Sequence, residues 1–224
     1  HILRYLNMCS LESLIKNNIK LTEEQAKMIL YDILKGLNVI HENGYVHRDL
    51  HPGNIMLTKD NKKISAVIID FDDMQPMNEE TKACFRYNGY QAPEIIFDDD
   101  TYDDKSEMFT VGVILWELVL GRCPFGGYNF FGKIIEESWD NYTEKTAYYN
   151  NRTKDALKTA PQYLKRKNGI SDECFDLLCS LLDFNKSNRI TSEELLNHPF
   201  FIKETEKSFK TKKENNIYND MERD

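Results

Sequence analysis

His47-Arg48-Asp49-Leu50-His51-Pro52-Gly53-Asn54, with Asp70-Phe71 sixteen residues after its asparagine, is the stretch that decides how this chain is read. Between the two lie Asn54-Ile55-Met56-Leu57 and Ala66-Val67-Ile68-Ile69, two short β-prone runs around a polar turn at 58–63. A loop followed by such a hairpin carries Asp49, Asn54 and Asp70 to one edge. A carboxylate beside an acceptor hydroxyl and oxygen ligands for magnesium between phosphates are what phosphoryl transfer requires.

Upstream, Ser10 caps a predicted short helix over 10–17, with Leu11, Leu14 and Ile15 on one face. Thr22 with Gln25 three residues on is a capping-box pattern. It opens an amphipathic helix on which Ala26, Ile29, Leu30, Ile33, Leu37 and Ile40 recur at helical spacing, and Asn43-Gly44 stops it. Residues 2–6 read as a short strand. Downstream of Phe71 a polar stretch with little periodicity leads to Ala92-Pro93-Glu94. After an acidic run at 98–104, a buried helix is predicted over 105–120. Further helices are predicted around 130–138, 154–163, 172–182 and 192–196. Residues 203–224, with six basic and six acidic side chains, read as a charged tail that frays into disorder.

With 224 residues and 41% hydrophobic content the chain can bury a core as one domain. No run approaches a membrane span and no signal pattern opens the chain, so no membrane partner is expected. A net charge of −8 counts against nucleic acid as a partner. Cys9, Cys84, Cys123, Cys174 and Cys179 are scattered, odd in number and without a CxxC, which predicts reduced thiols inside a cell, in cytoplasm or nucleus.

His47 to Asn54 matches the H-R-D-x-x-x-x-N catalytic loop, and the chain resembles the eukaryotic-type protein kinase family over residues 1–201. Tyr90-Gln91-Ala92-Pro93-Glu94 resembles the end of its activation segment, and residues 105–115 its buried central helix. Gly121-Arg122-Cys123-Pro124-Phe125, Arg189-Ile190-Thr191 and His198-Pro199-Phe200-Phe201 follow in family order. The resemblance implies a mainly helical fold with a few short β-strands, the C-terminal lobe of a kinase without its N-terminal lobe. Residues 1–8 would be the last strand of the missing lobe and the hinge, 9–202 the C-lobe, and 203–224 the tail. A longer parent chain is expected to supply the rest, and the 224 residues alone are expected to be inactive.

The same resemblance implies roles. Asp49 would orient the substrate hydroxyl and accept its proton, and His51 would stand near the transferring phosphate. Asn54 and Asp70 would hold Mg2+. The backbone of Arg4, Tyr5 and Leu6 would hydrogen-bond the adenine of ATP, with Met56 as its floor. Arg48 would meet a phosphate on the activation segment, and Glu94 would pair with Arg189 in a structural salt bridge. The implied reaction moves the γ-phosphate of ATP to a serine or threonine of a protein substrate. The rival is a kinase-like binding module that has lost catalysis.

Four positions depart from the pattern. Asp72 replaces a glycine, which is expected to remove a flexible hinge. His51 replaces a lysine, Tyr87 stands where a threonine would face Asp49, and Glu107 stands for an aspartate that binds the catalytic-loop backbone. His51-Pro52-Gly53-Asn54 with Asp70-Phe71-Asp72-Asp73 is also similar to small-molecule phosphotransferases acting on aminoglycosides and choline. Those lack Ala-Pro-Glu and the helices after it, and the downstream block decides for a protein kinase.

Overall fold

The computed structural model describes residues 9–17, 19, 21–60, 63–78, 89–97, 101–121, 144, 151 and 170–202. The readings at residues 2–6, Cys84, Tyr87 and Cys123, the helices predicted around 130–138 and 154–163, and the charged tail lie outside them.

The described part is mainly helical with a few short antiparallel strands: α1 (Leu11–Lys16), α2 (Glu23–Glu42), β1 (Tyr45–Val46), β2 (Ile55–Asp60), β3 (Lys63–Ile68), β4 (Gln75–Pro76), α3 (Pro93–Phe97), α4 (Asp104–Leu120), α5 (Asp172–Leu181) and α6 (Ser192–Leu196). The long helices begin where side-chain oxygens can satisfy backbone donors left unpaired in the first turn. Ser10 caps α1, Thr22 and Gln25 form the capping box of α2, and Asp103 caps α4. Gly44 and Gly121 follow α2 and α4 with φ of 75° and 73°, a left-handed backbone that glycine adopts at little cost.

The apolar stripe of α2 faces β3, α4 and α6. α4 is buried around nearly its whole circumference, which explains a sequence apolar on all sides. It meets α5 closely at Gly112, where a Cβ would lie 2.8 Å from Leu181 Cβ and 2.9 Å from Leu182 Cδ2. Among the described residues Cys9, Cys174 and Cys179 are in no disulfide. Among the described residues no helix is long and apolar enough to cross a membrane.

The strands frame the edge on which Asp49, Asn54 and Asp70 sit. β2 and β3 pair from Ile55 with Ile68 to Asp60 with Lys63. The hairpin therefore runs further than its apolar residues suggest, through Thr58, Lys59 and Asp60. Two-residue strands β1 and β4 pair Tyr45 with Pro76 and Val46 with Gln75, far apart along the chain. A segment that short has no period to read, so sequence patterning does not reveal it.

Candidate active site

The segment 47–54 follows β1, and its backbone is held by α4. Arg48 sits in the left-handed region, φ 68°, uncommon for a residue with a side chain. Its N–H donates to Glu107 Oε1 of α4 at 2.7 Å, a charge-assisted bond that fixes the turn. Glutamate thus reaches the loop backbone although the family pattern expects aspartate. The other Glu107 oxygen receives His41 Nε2 at 2.7 Å, and His41 Nδ1 lies 3.0 Å from Ser192 Oγ at the start of α6. A carboxylate only accepts, so His41 Nε2 carries a hydrogen. His41 extends the apolar stripe of α2 by one turn. Its position was legible as a polar residue on a buried face, but its partner sixty-six residues away was not.

Tyr102 is buried beside this cluster. Burial, and then the charges of Glu107 and Glu94, push its phenol well above the ordinary 10.0, while Arg48 opposes. The ring therefore stays neutral beneath the loop.

Asn54 ties the loop to the hairpin. Its Nδ2 donates to the Asp49 carbonyl at 2.9 Å and to Asp49 Oδ2 at 3.1 Å. Its own carbonyl receives the N–H of Ile69 at 2.9 Å, the residue before Asp70. Fully buried His47 stitches the same two segments, with Nδ1 accepting the Asp49 N–H at 3.3 Å and Nε2 lying 3.1 Å from the Ile69 carbonyl. Its ring meets exposed Phe71 edge-on at 5.3 Å. Asp49 and Asn54 are buried to within a tenth of their surface, whereas Asp70 is exposed.

Asp70 is the other non-glycine residue with positive φ, at 65°. Both left-handed non-glycine residues among the described residues thus lie on this edge, where strain persists only if the surroundings hold it. Asp72 does not share it: a turn closed by Met74 N–H on the Phe71 carbonyl at 3.1 Å carries it at negative φ. The aspartate is accommodated without the strain that would call for glycine.

Met56 is half-buried on β2, paired with Val67 and bridged by Ser10. Arg4, Tyr5 and Leu6 lie outside the described residues. Arg48 Nη1 is 3.5 Å from the Asp73 carbonyl, and among the described residues its buried Nε has no partner. Glu94 of α3 receives Arg189 Nη1 at 2.7 Å and Nη2 at 2.5 Å, and Ser106 Oγ at 2.9 Å. Between α3 and the site, Tyr90 is fixed at both ends by α4: its hydroxyl donates to Glu117 Oε2 at 2.7 Å and its carbonyl accepts from Thr110 Oγ1 at 2.9 Å.

Residues 1–201 match the family model described as the protein kinase domain. The chain is similar to mitogen-activated protein kinase p38b of Drosophila melanogaster, 27% identical over 91% of this chain and 57% of the relative. It is 30% identical to mitogen-activated protein kinase p38a of the same fly, over 84% and 53%. Mitogen-activated protein kinase 5 of Oryza sativa subsp. indica is 30% identical over 85% and 54%. The chain thus spans little more than half the length of these curated relatives.

Proposed function

Because the chain belongs to the protein kinase family, we propose that it carries the catalytic-loop side of a site that transfers the γ-phosphate of ATP to a serine or threonine hydroxyl of a protein. The observation that carries the reading is the Asn54 junction. One side chain binds both the carbonyl and the carboxylate of Asp49, while its backbone holds the strand end that delivers Asp70.

In this reading Asp49, buried and oriented by Asn54, aligns the substrate hydroxyl and takes its proton. Asn54 and Asp70 offer oxygen donors to Mg2+, whose role is to neutralise charge on the phosphates. Among the described residues no cluster of three His, Cys, Asp or Glu side chains is arranged for a metal. A magnesium site built from one carboxylate, an amide oxygen, waters and phosphate oxygens needs none. Met56 would underlie the adenine, with the backbone of Arg4 to Leu6 on its edge. Arg48, with a buried nitrogen to satisfy, would take a phosphate from the activation segment. The names of the relatives support a protein substrate, and the His198-Pro199-Phe200-Phe201 ending supports serine or threonine as acceptor.

The test is phosphate transfer from labelled ATP to protein, using this chain and any longer protein that contains it. Asp49→Asn and Asp70→Asn should each lower kcat by roughly two to three orders of magnitude, because positioning and charge stabilisation supply most of the acceleration. Circular dichroism should be unchanged in both. Wild-type rates in either variant would refute the site, and a wild-type protein that binds nucleotide without transfer would mark a binding module.

A further inference from the structure

His51 occupies the position where the family resemblance calls for a lysine, yet it does not extend outward as a lysine would. Its Nδ1 accepts the N–H of Gly53 at 3.0 Å and so caps the 3₁₀ turn Pro52–Asn54. A ring nitrogen that accepts a hydrogen bond bears no hydrogen, which places the ring hydrogen on Nε2. Nε2 lies 3.7 Å from Asp49 Oδ2, the same oxygen that receives Asn54 Nδ2 at 3.1 Å. That separation is slightly beyond a hydrogen bond, and contacts of this kind commonly tighten when substrate arrives.

The ring can fold back in this way because residue 53 is glycine. A Cβ there would fall 2.6 Å from His51 Cε1 and 2.9 Å from Nδ1. Gly53 is not in the left-handed region, so the backbone itself does not demand glycine. What demands it is the imidazole.

We propose that His51 and Gly53 act as one positioning unit for Asp49. Gly53 leaves room for the ring and pins its Nδ1, and Nε2–H then joins Asn54 in fixing the orientation of the Asp49 carboxylate. An aimed N–H takes the place of the mobile positive charge of a lysine. This rests on the reading of Asp49 as the base, but the arrangement of the ring is testable apart from it.

Long-range 1H–15N correlation spectra of the histidine-labelled 224-residue chain report which ring nitrogen carries hydrogen, with His51→Gln identifying the signals. The hydrogen should be on Nε2. Gly53→Ala should shift the His51 ring signals and leave those of His41, His47 and His198 in place. A hydrogen on Nδ1, or His51 signals that ignore Gly53→Ala, overturns the proposal.

The second arm uses whichever chain, this one or a longer one that contains it, transfers phosphate in the assay above. There Gly53→Ala should lower kcat roughly ten- to a hundredfold with KM for ATP unchanged, and should cost nothing further in a His51→Ala background. Equal losses in both backgrounds would show that the alanine damages the loop by itself, and would also overturn the proposal. If Asp49→Asn proved harmless in that assay, the catalytic reading would fall while the spectra still decided the arrangement of the ring.

Discussion

The base of this molecule and its loop edge use the same side chain in opposite ways. At the base, Arg189 is buried and all five of its N–H donors are engaged. Nε donates to the Asp183 carbonyl at 2.8 Å, Nη1 to Glu94 and the Lys105 carbonyl, and Nη2 to Glu94 and the Phe184 carbonyl. Its cation also lies over the Phe109 ring, 5.1 Å from the centroid. Lys105 Nζ in turn donates to the Arg189 carbonyl. At the edge, Arg48 sits on a left-handed backbone, with one long contact to a carbonyl and a buried Nε lacking a partner among the described residues. A charge with every donor used is part of the framework. At the edge, by contrast, strain in the backbone and a buried Nε without a partner among the described residues mark Arg48 off from that framework.

The comparison breaks most decisively at Arg189. Arg189→Ala strands the Glu94 carboxylate in a buried site and should cost about 3–5 kcal/mol of unfolding free energy, the range for removing one partner of a buried ion pair. Chemical denaturation of the chain measures it. A loss below about 1 kcal/mol would place Arg189 with Arg48 rather than against it.

The tightness of the base is measured next by Gly112→Ala. Alanine gains up to about 1 kcal/mol of helix propensity over glycine. Its methyl, however, would stand 2.8 Å from Leu181 Cβ, an atom fixed to the α5 backbone. Helix separation must give, and overpacking of this kind costs about 1–3 kcal/mol, so net destabilisation is expected. A stabilised variant would show that α4 and α5 are free to part.

At the edge the expectation reverses. Arg48→Gly removes a left-handed side-chain residue, worth roughly 1–2 kcal/mol, and adds about 0.5–1 kcal/mol of glycine entropy. Stability should therefore stay level or rise by no more than about 1.5 kcal/mol. A loss as large as that of Arg189→Ala would mean that the Arg48 side chain holds the fold.

The two regions also differ in how well the sequence discloses them. Helices of the base announce themselves: Thr22 with Gln25, the apolar stripe of α2 and the uniformly apolar α4 are local signals, and they place α2, α4 and α5 to within a residue or two. The edge is built from contacts across the chain. Asp49, Asn54 and Asp70 are marked by their spacing, but the bonds that hold them run from Arg48 to Glu107 and from His47 to Ile69, and spacing does not encode them. Glu107 looked like a departure because a pattern records residue type. Its carboxylate nevertheless reaches the Arg48 N–H, and its second oxygen takes His41. Asp72 looked like a lost hinge, yet the positive φ of that loop falls two residues earlier, at Asp70.

The smallest effect lies at the seam between the two regions, where Tyr90 of the segment beside the site donates to Glu117 of α4. Burial pushes the Glu117 carboxyl above its ordinary 4.5; the Tyr90 hydrogen bond pulls the other way, and the charge of Glu12 adds to the rise. The folded chain therefore holds this proton more tightly than the unfolded chain does. Where both forms are protonated, below about pH 4.5, no cost arises. As pH climbs through the ordinary value toward the raised one, the unfolded state ionises first and stability is lost, each unit of difference being worth about 1.4 kcal/mol. Above the raised value the loss is complete and constant. Glu117→Gln keeps an oxygen for the Tyr90 hydroxyl and removes the charge, so it should match wild type at acid pH and gain on it progressively as pH rises through that window. Denaturation curves of both forms at a series of pH values measure the divergence. Parallel pH profiles would show that Glu117 ionises as readily in the folded chain as in the unfolded one, and the seam would then belong electrostatically to the solvated edge rather than to the base.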